Sequence, residues 1–88
     1  MADFRARFVT RALLDADRIE QALAAHDLST VRGIGHGLSG SAGIFGLTDL
    51  GELAQAVEVA IDARASEAEI RALVQRLLDR IGGLAQER

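Results

Sequence analysis

Apolar residues recur at three- and four-residue spacing along almost the whole chain, the period of a helix with one face turned to a core. From Asp3 to Ala25 the stripe runs through Phe4, Phe8, Ala12, Leu13, Ile19 and Leu23, with Asp3 placed to cap the start. A second segment, from Asp27 or Leu28 to Phe45, carries Val31, Ile34, Leu38, Ser41, Ala42 and Phe45 on one side. A third, Thr48 to about Arg64, repeats the pattern with Leu50, Leu53, Ala54, Val57 and Ile61. The fourth opens on SEAE, where Ser66 and Glu69 have the spacing of a capping box. It continues through Ile70, Leu73, Leu77, Ile81 and Leu84, with Gly82 and Gly83 as its stop signal.

The links near His26–Leu28, Gly46–Leu47 and Ala65 are short, and short links between helices make antiparallel neighbours. The pattern predicts an all-α fold, an antiparallel up-down-up-down four-helix bundle, with residues 1–88 as a single domain. Composition agrees. Hydrophobic residues make up 49% and charged residues 26%, and proline, tryptophan and tyrosine are absent, so the core is aliphatic and little interrupts the helices. A chain of 88 residues buries only about 60 to 65% of its unfolded surface, so that core is thin.

Charge and cysteine count narrow the chemistry. The net charge is -3 with three phenylalanines as the only aromatic residues, which supplies neither the basic face nor the stacking groups of a nucleic-acid binder. No apolar run approaches the ~18 to 20 residues that span a membrane, and MADFRARF lacks an apolar signal core. A cytoplasmic protein is expected. Without cysteine there are no disulfides or thiolate metal sites, and two histidines ten residues apart on different elements do not make a zinc ligand set. All ten basic residues are arginine.

Against this background the stretch GIGHGLSGSAGIFG, Gly33 to Gly46, is anomalous, because six of its fourteen residues are glycine within a strong helical pattern. Glycine costs up to about 1 kcal/mol per helix position relative to alanine. GHGLSG, Gly35 to Gly40, spells the dinucleotide-binding string, but that turn follows a buried strand in a βαβ unit and none precedes it here. A helix terminus or a tight helix crossing is one account of the glycines. Winding the segment at about 100° per residue offers another: the apolar side lies opposite His36, and Ser29, Arg32, Gly33, Ser39, Gly40 and Gly43 lie within about 60° of it. Small residues thus clear the surface around one outward imidazole, as a site approached closely by another protein requires. Position alone favours an idle surface histidine, and His26, at a helix junction, is read that way.

Glu58 strengthens the functional reading. With the second turn centred on Leu47, His36 lies eleven residues before it and Glu58 eleven after, so the two stand level on antiparallel helices. Glu58 falls at the margin of its own apolar stripe, from where it can reach the imidazole. A carboxylate that accepts the Nδ1–H fixes the tautomer and leaves the Nε2 lone pair outward, which makes a histidine nucleophilic near neutral pH. An ordinary solvated glutamate is the alternative.

HGLSGSAGIFGL, His36 to Leu47, resembles the signature of histidine phosphotransfer (HPt) domains, and is most similar to those of chemotaxis-type histidine kinases. The four-helix pattern extends the likeness over essentially the whole chain. The resemblance implies that His36 accepts a phosphoryl group on Nε2 and exchanges it with receiver-domain aspartates, that Glu58 orients the imidazole, and that Gly40 admits the partner. Gly43 and Gly33 belong to the same cleared surface. Implied partners are response-regulator receiver domains and a histidine kinase, hybrid kinases included, in a bacterial two-component phosphorelay. No cofactor belongs to the chain itself; Mg²⁺ is expected on the receiver. A monomer is expected.

One position departs from the family. Three residues after the histidine, where lysine is usual, this chain has Ser39, whose hydroxyl can donate one hydrogen bond but carries no charge. Arg32, one turn before His36, is a candidate to supply that charge, with Ser39 as a further candidate phosphate contact. The competing reading is a degenerate domain that docks a kinase or receiver and carries no phosphate. The chain starts at Met1 and ends soon after the fourth segment, so a free-standing protein without a kinase domain is expected.

Overall fold

The computed structural model describes residues 3–86. Four helices follow one another, α1 Asp3–Ala24, α2 Leu28–Ala42, α3 Thr48–Asp62 and α4 Glu67–Leu84, with a 3-10 turn at Gly43–Phe45 after α2. Each connection reverses the chain, so the helices run up, down, up and down. α1 packs on α2, α2 on α3, α3 on α4, and α4 closes on α1. The bundle is a rod of 42 × 20 × 18 Å. No helix among the described residues is long and apolar enough to cross a membrane.

The predicted stripes meet along the axis. Ile19, Val31, Leu50, Val57, Leu77 and Ile81 are fully buried, and each such side chain contributes about 1.5 to 3 kcal/mol by leaving water. Phe4 departs from the prediction and is exposed. It belongs to the first turn of the longest helix, and the Arg7 guanidinium lies 6.0 Å from its ring centre. Phe8, one turn later, is the aromatic residue that enters the core, where its ring stacks 4.9 Å from Phe45. Ser41, expected on the core side of α2, is half-buried and returns its hydroxyl to the Gly37 carbonyl at 2.9 Å.

All three reversals use one device. At each, a residue in the left-handed region follows the last helical turn: His26 (φ 58°), Gly46 (φ 73°) and Arg64 (φ 58°). The next residue's N–H then returns six residues' worth of chain to a helical carbonyl: Asp27 to Ala22, Leu47 to Ala42, and Ala65 to Ala60, at 2.8 to 3.0 Å. An inner bond joins His26 to Leu23, Gly46 to Gly43 and Arg64 to Ile61. This is the Schellman arrangement, which satisfies the orphan carbonyls of a helix end. Its demands end α1 at Ala24 and α3 at Asp62, slightly before the expected ends at Ala25 and Arg64, and tighten the end of α2 into the 3-10 turn so that Phe45 is outside the α-helix.

Side chains cap the starts of α2 and α4, whereas α3 follows Leu47 with no side-chain cap. Asp27 caps α2, accepting from the Thr30 N–H at 3.1 Å and the Thr30 hydroxyl at 2.6 Å. Ser66 caps α4, accepting from the Glu69 N–H at 3.1 Å, while its own hydroxyl donates to the Glu69 carboxylate at 3.4 Å. Asp3, expected as a cap, is instead the first helical residue of α1, where its charge opposes the positive end of the helix dipole. Gly82 and Gly83 do not stop α4 either. Both lie inside it, and the helix persists to Leu84 because that side chain is buried and holds the last turn on the core.

Candidate functional site

The glycines of α2 divide into two sets according to what surrounds them. Gly35 faces α3, and a β-carbon there would stand 3.2 Å from the Ala54 carbonyl oxygen. On the opposing helix a β-carbon at Gly51 would stand in ordinary contact, 3.4 Å from the Ser39 carbonyl oxygen and 3.5 Å from the Ala42 β-carbon. These two hold α2 and α3 at close range. Gly33, Gly37, Gly40 and Gly43 have nothing within 4 Å of where a β-carbon would stand, so they form open surface.

His36 projects from that surface. Its side chain is 71% exposed and Nδ1 lies 3.0 Å from Oε2 and 3.2 Å from Oε1 of Glu58. Glu58 is itself only 14% exposed, tucked against the α2–α3 seam. A carboxylate can only accept a hydrogen bond, so the proton sits on Nδ1 and Nε2, on the far edge of the ring, keeps its lone pair. The two residues meet because the Gly35 and Gly51 packing brings their helices close enough for a glutamate to span the gap.

Arg32, one turn before His36 on α2, turns toward α3. Its Nε and Nη2 donate to the two oxygens of Asp62 at 2.6 and 3.0 Å, and Nη2 also lies 3.2 Å from Glu58 Oε2. The paired hydrogen bonds hold the Asp62 carboxyl below the usual aspartate range and raise the guanidinium above its already high value. In this arrangement Arg32 is engaged by two carboxylates. Ser39 is engaged as well, its hydroxyl donating to the His36 carbonyl at 2.8 Å. The structure therefore unites Arg32, His36 and Glu58 in one network and leaves Ser39 beside it, turned into its own helix.

Asp62 is the member of the network that the sequence reading passed over, although a signal existed. Arg32 lies fifteen residues before Leu47 and Asp62 fifteen after, the same symmetry that pairs His36 with Glu58. Asp15 was also overlooked. It is buried on the inner side of α1 between Arg11 at 3.5 Å and Arg18 at 3.2 Å. These three residues border, with Thr30, Gly33 and Gly37, a polar groove between α1 and α2 on the flank of His36.

The site is thus an exposed, oriented imidazole on an open small-residue surface. No side chain would be met within 4 Å of a β-carbon at Gly33, Gly37, Gly40 or Gly43, which leaves the ring accessible from outside. The search of curated proteins returned no match, and neither did the search of solved structures. The Hpt domain family model matches residues 3–87, and with a helical bundle to match, this chain belongs to the Hpt domain family.

Proposed function

We propose that the chain is a phosphocarrier that accepts a phosphoryl group on His36 and exchanges it with aspartates of receiver domains. Hpt domains serve phosphotransfer in two-component signalling and interact with kinases and receiver domains. The observation that carries the assignment to His36 is its geometry: a side chain 71% exposed, with Nδ1 at 3.0 Å from the largely buried carboxylate of Glu58.

The step balances without a proton leaving the ring. The Nε2 lone pair attacks the phosphorus of an aspartyl phosphate, the N–P bond forms, and the P–O bond breaks with its electrons returning to the departing carboxylate. The ring gains positive charge as it does so, and Glu58, already hydrogen-bonded to Nδ1–H, stabilises that charge. In the reverse direction a receiver carboxylate attacks phosphorus and the imidazole leaves. On this reading the receiver brings the Mg²⁺ and the groups that stabilise the transferring phosphoryl. The open surface at Gly33, Gly40 and Gly43 supports close approach of such a partner.

Ser39 favours a second reading, a docking module that carries no phosphate, because the residue where the family usually has lysine is uncharged and bonded to its own helix. Phosphorus NMR after treatment with phosphoramidate separates the two. Expected is an acid-labile phosphorus–nitrogen signal that His36→Ala removes while the far-ultraviolet circular dichroism is unchanged. No signal under conditions that label another phosphotransfer domain would sink the phosphocarrier reading.

A further inference from the structure

Glu58 and Asp62 stand one turn apart on α3, and Arg32 and His36 stand one turn apart on α2. Two carboxylates thus face one guanidinium and one imidazole across the seam. The division of partners is uneven. Asp62 receives both arms of the Arg32 fork, at 2.6 and 3.0 Å, whereas Glu58 touches Arg32 through a single oxygen at 3.2 Å. That same oxygen, Oε2, lies 3.0 Å from His36 Nδ1. Arg11 and Arg18, across the groove on α1, pair with Asp15, while Arg32 contacts Glu58.

A guanidinium competes with a neutral imidazole for a carboxylate on unequal terms. It is charged, and it can fill both carboxylate oxygens with parallel hydrogen bonds, whereas the imidazole offers one uncharged N–H. Left with Glu58 alone, Arg32 would close on it as a fork and displace Nδ1–H. We propose that Asp62 is a positioning residue for His36: by occupying the Arg32 fork, it keeps the guanidinium from capturing Glu58 and so preserves the Glu58–imidazole hydrogen bond. The idea rests on His36 as the phosphoacceptor only for its consequence in rate. The effect on the imidazole itself is independent of that reading.

The proposal makes Arg32 harmful when Asp62 is missing, which an ordinary stapling ion pair would not be. Nitrogen-15 NMR of the histidine ring in the full chain, together with the rate of labelling by phosphoramidate, tests it in four proteins: wild type, Asp62→Asn, Arg32→Gln and the double variant. Wild type and Arg32→Gln are expected to hold the Nδ1–H tautomer. Asp62→Asn is expected to lose that preference and to label about tenfold more slowly, the order of loss when a metal-ligating histidine is deprived of its orienting carboxylate. In the double variant the tautomer returns and the rate rises to that of Arg32→Gln.

Three results would overturn the proposal: an unchanged tautomer in Asp62→Asn, the same tautomer loss in Arg32→Gln, or a double variant as impaired as Asp62→Asn. Both side chains are substantially exposed, and circular dichroism of each variant confirms that the fold is kept. If wild type does not label at all, the phosphocarrier reading fails, and the tautomer comparison alone decides whether Asp62 guards Glu58.

Discussion

Gly35 and Ala54 lie so close across the α2–α3 seam that a β-carbon on the glycine would come within 3.2 Å of the alanine carbonyl oxygen. His36 is the next residue along α2, so this approach sets the span that Glu58 must bridge to reach the imidazole. The glycines that look alike in sequence therefore have opposite responses to a methyl group.

Gly35→Ala is expected to destabilise the fold by about 1 kcal/mol, because the neighbour is backbone and yields poorly to overpacking. Gly40→Ala and Gly43→Ala meet open space and are expected to be neutral or to stabilise by up to about 1 kcal/mol, the difference in helix propensity. Transfer from a receiver domain is expected to slow in the latter pair despite their stability. Urea unfolding and transfer rates on the same proteins check both halves, and parallel losses at Gly40 would show that it packs and does not admit a partner.

Replacing Glu58 separates acceptor from charge. In Glu58→Ala the Nδ1–H has no acceptor, and labelling of His36 is expected to fall about 10- to 100-fold. Glu58→Gln retains a carbonyl that can accept the bond but not the charge that offsets the growing imidazolium, so its rate is expected to fall between wild type and Ala. Labelling kinetics at fixed phosphoramidate rank the three. A Gln variant slower than Ala would mean that orientation is not what Glu58 provides.

The helices and their order are legible in the sequence because the apolar stripe is a period, and a period survives small errors at the ends. The His36–Glu58 meeting was legible for a related reason: in an antiparallel pair, equal distance from the turn means equal height. Arg32 and Asp62 obey the same rule, yet which carboxylate holds the guanidinium depends on side-chain reach, which spacing does not encode. The ends were less legible. Gly82 and Gly83 carry the usual stop signal, but burial of Leu84 outweighs it. His26 and Arg64 sit where glycine is the usual signal, and nothing in their side chains announces a left-handed residue.

Those two positions invite stabilisation. A non-glycine residue in the left-handed region crowds its β-carbon against the backbone, at a cost of roughly 1 to 2 kcal/mol, part of which glycine returns as chain entropy. His26→Gly and Arg64→Gly are each expected to raise stability by about 0.5 to 1 kcal/mol, additively because they lie in separate turns. Thermal melts of the single and double variants measure this. Loss of stability in Arg64→Gly would show that its side chain makes a contact worth more than the strain.

Stability is expected to fall in acid for identifiable reasons. The Arg80 hydrogen bond holds Asp49 below the ordinary aspartate value of 3.8, the Arg32 hydrogen bonds do the same for Asp62, and the Thr30 hydroxyl and N–H do it for Asp27. The unfolded chain therefore binds more protons than the folded one as the pH drops past 3.8. The stabilisation is full above that value and is lost as pH falls through the lower folded values. Urea midpoints between pH 6 and pH 2 follow the loss, and Asp49→Asn is expected to flatten the curve. An unchanged slope in that variant would place the acid sensitivity elsewhere.

The reversals at His26, Gly46 and Arg64 are closed by hydrogen bonds that stay within a turn or so of the chain. Neighbouring helices can therefore meet without a long loop being closed first, and three of the four seams are local in the sequence. Only α1 against α4 joins the two ends. Chains dominated by local contacts fold in about microseconds to milliseconds, because little loop entropy is lost before contacts compensate for it. The hairpin of α2 and α3 that carries His36 can thus assemble as a unit, and the α1–α4 seam is the one left to close last.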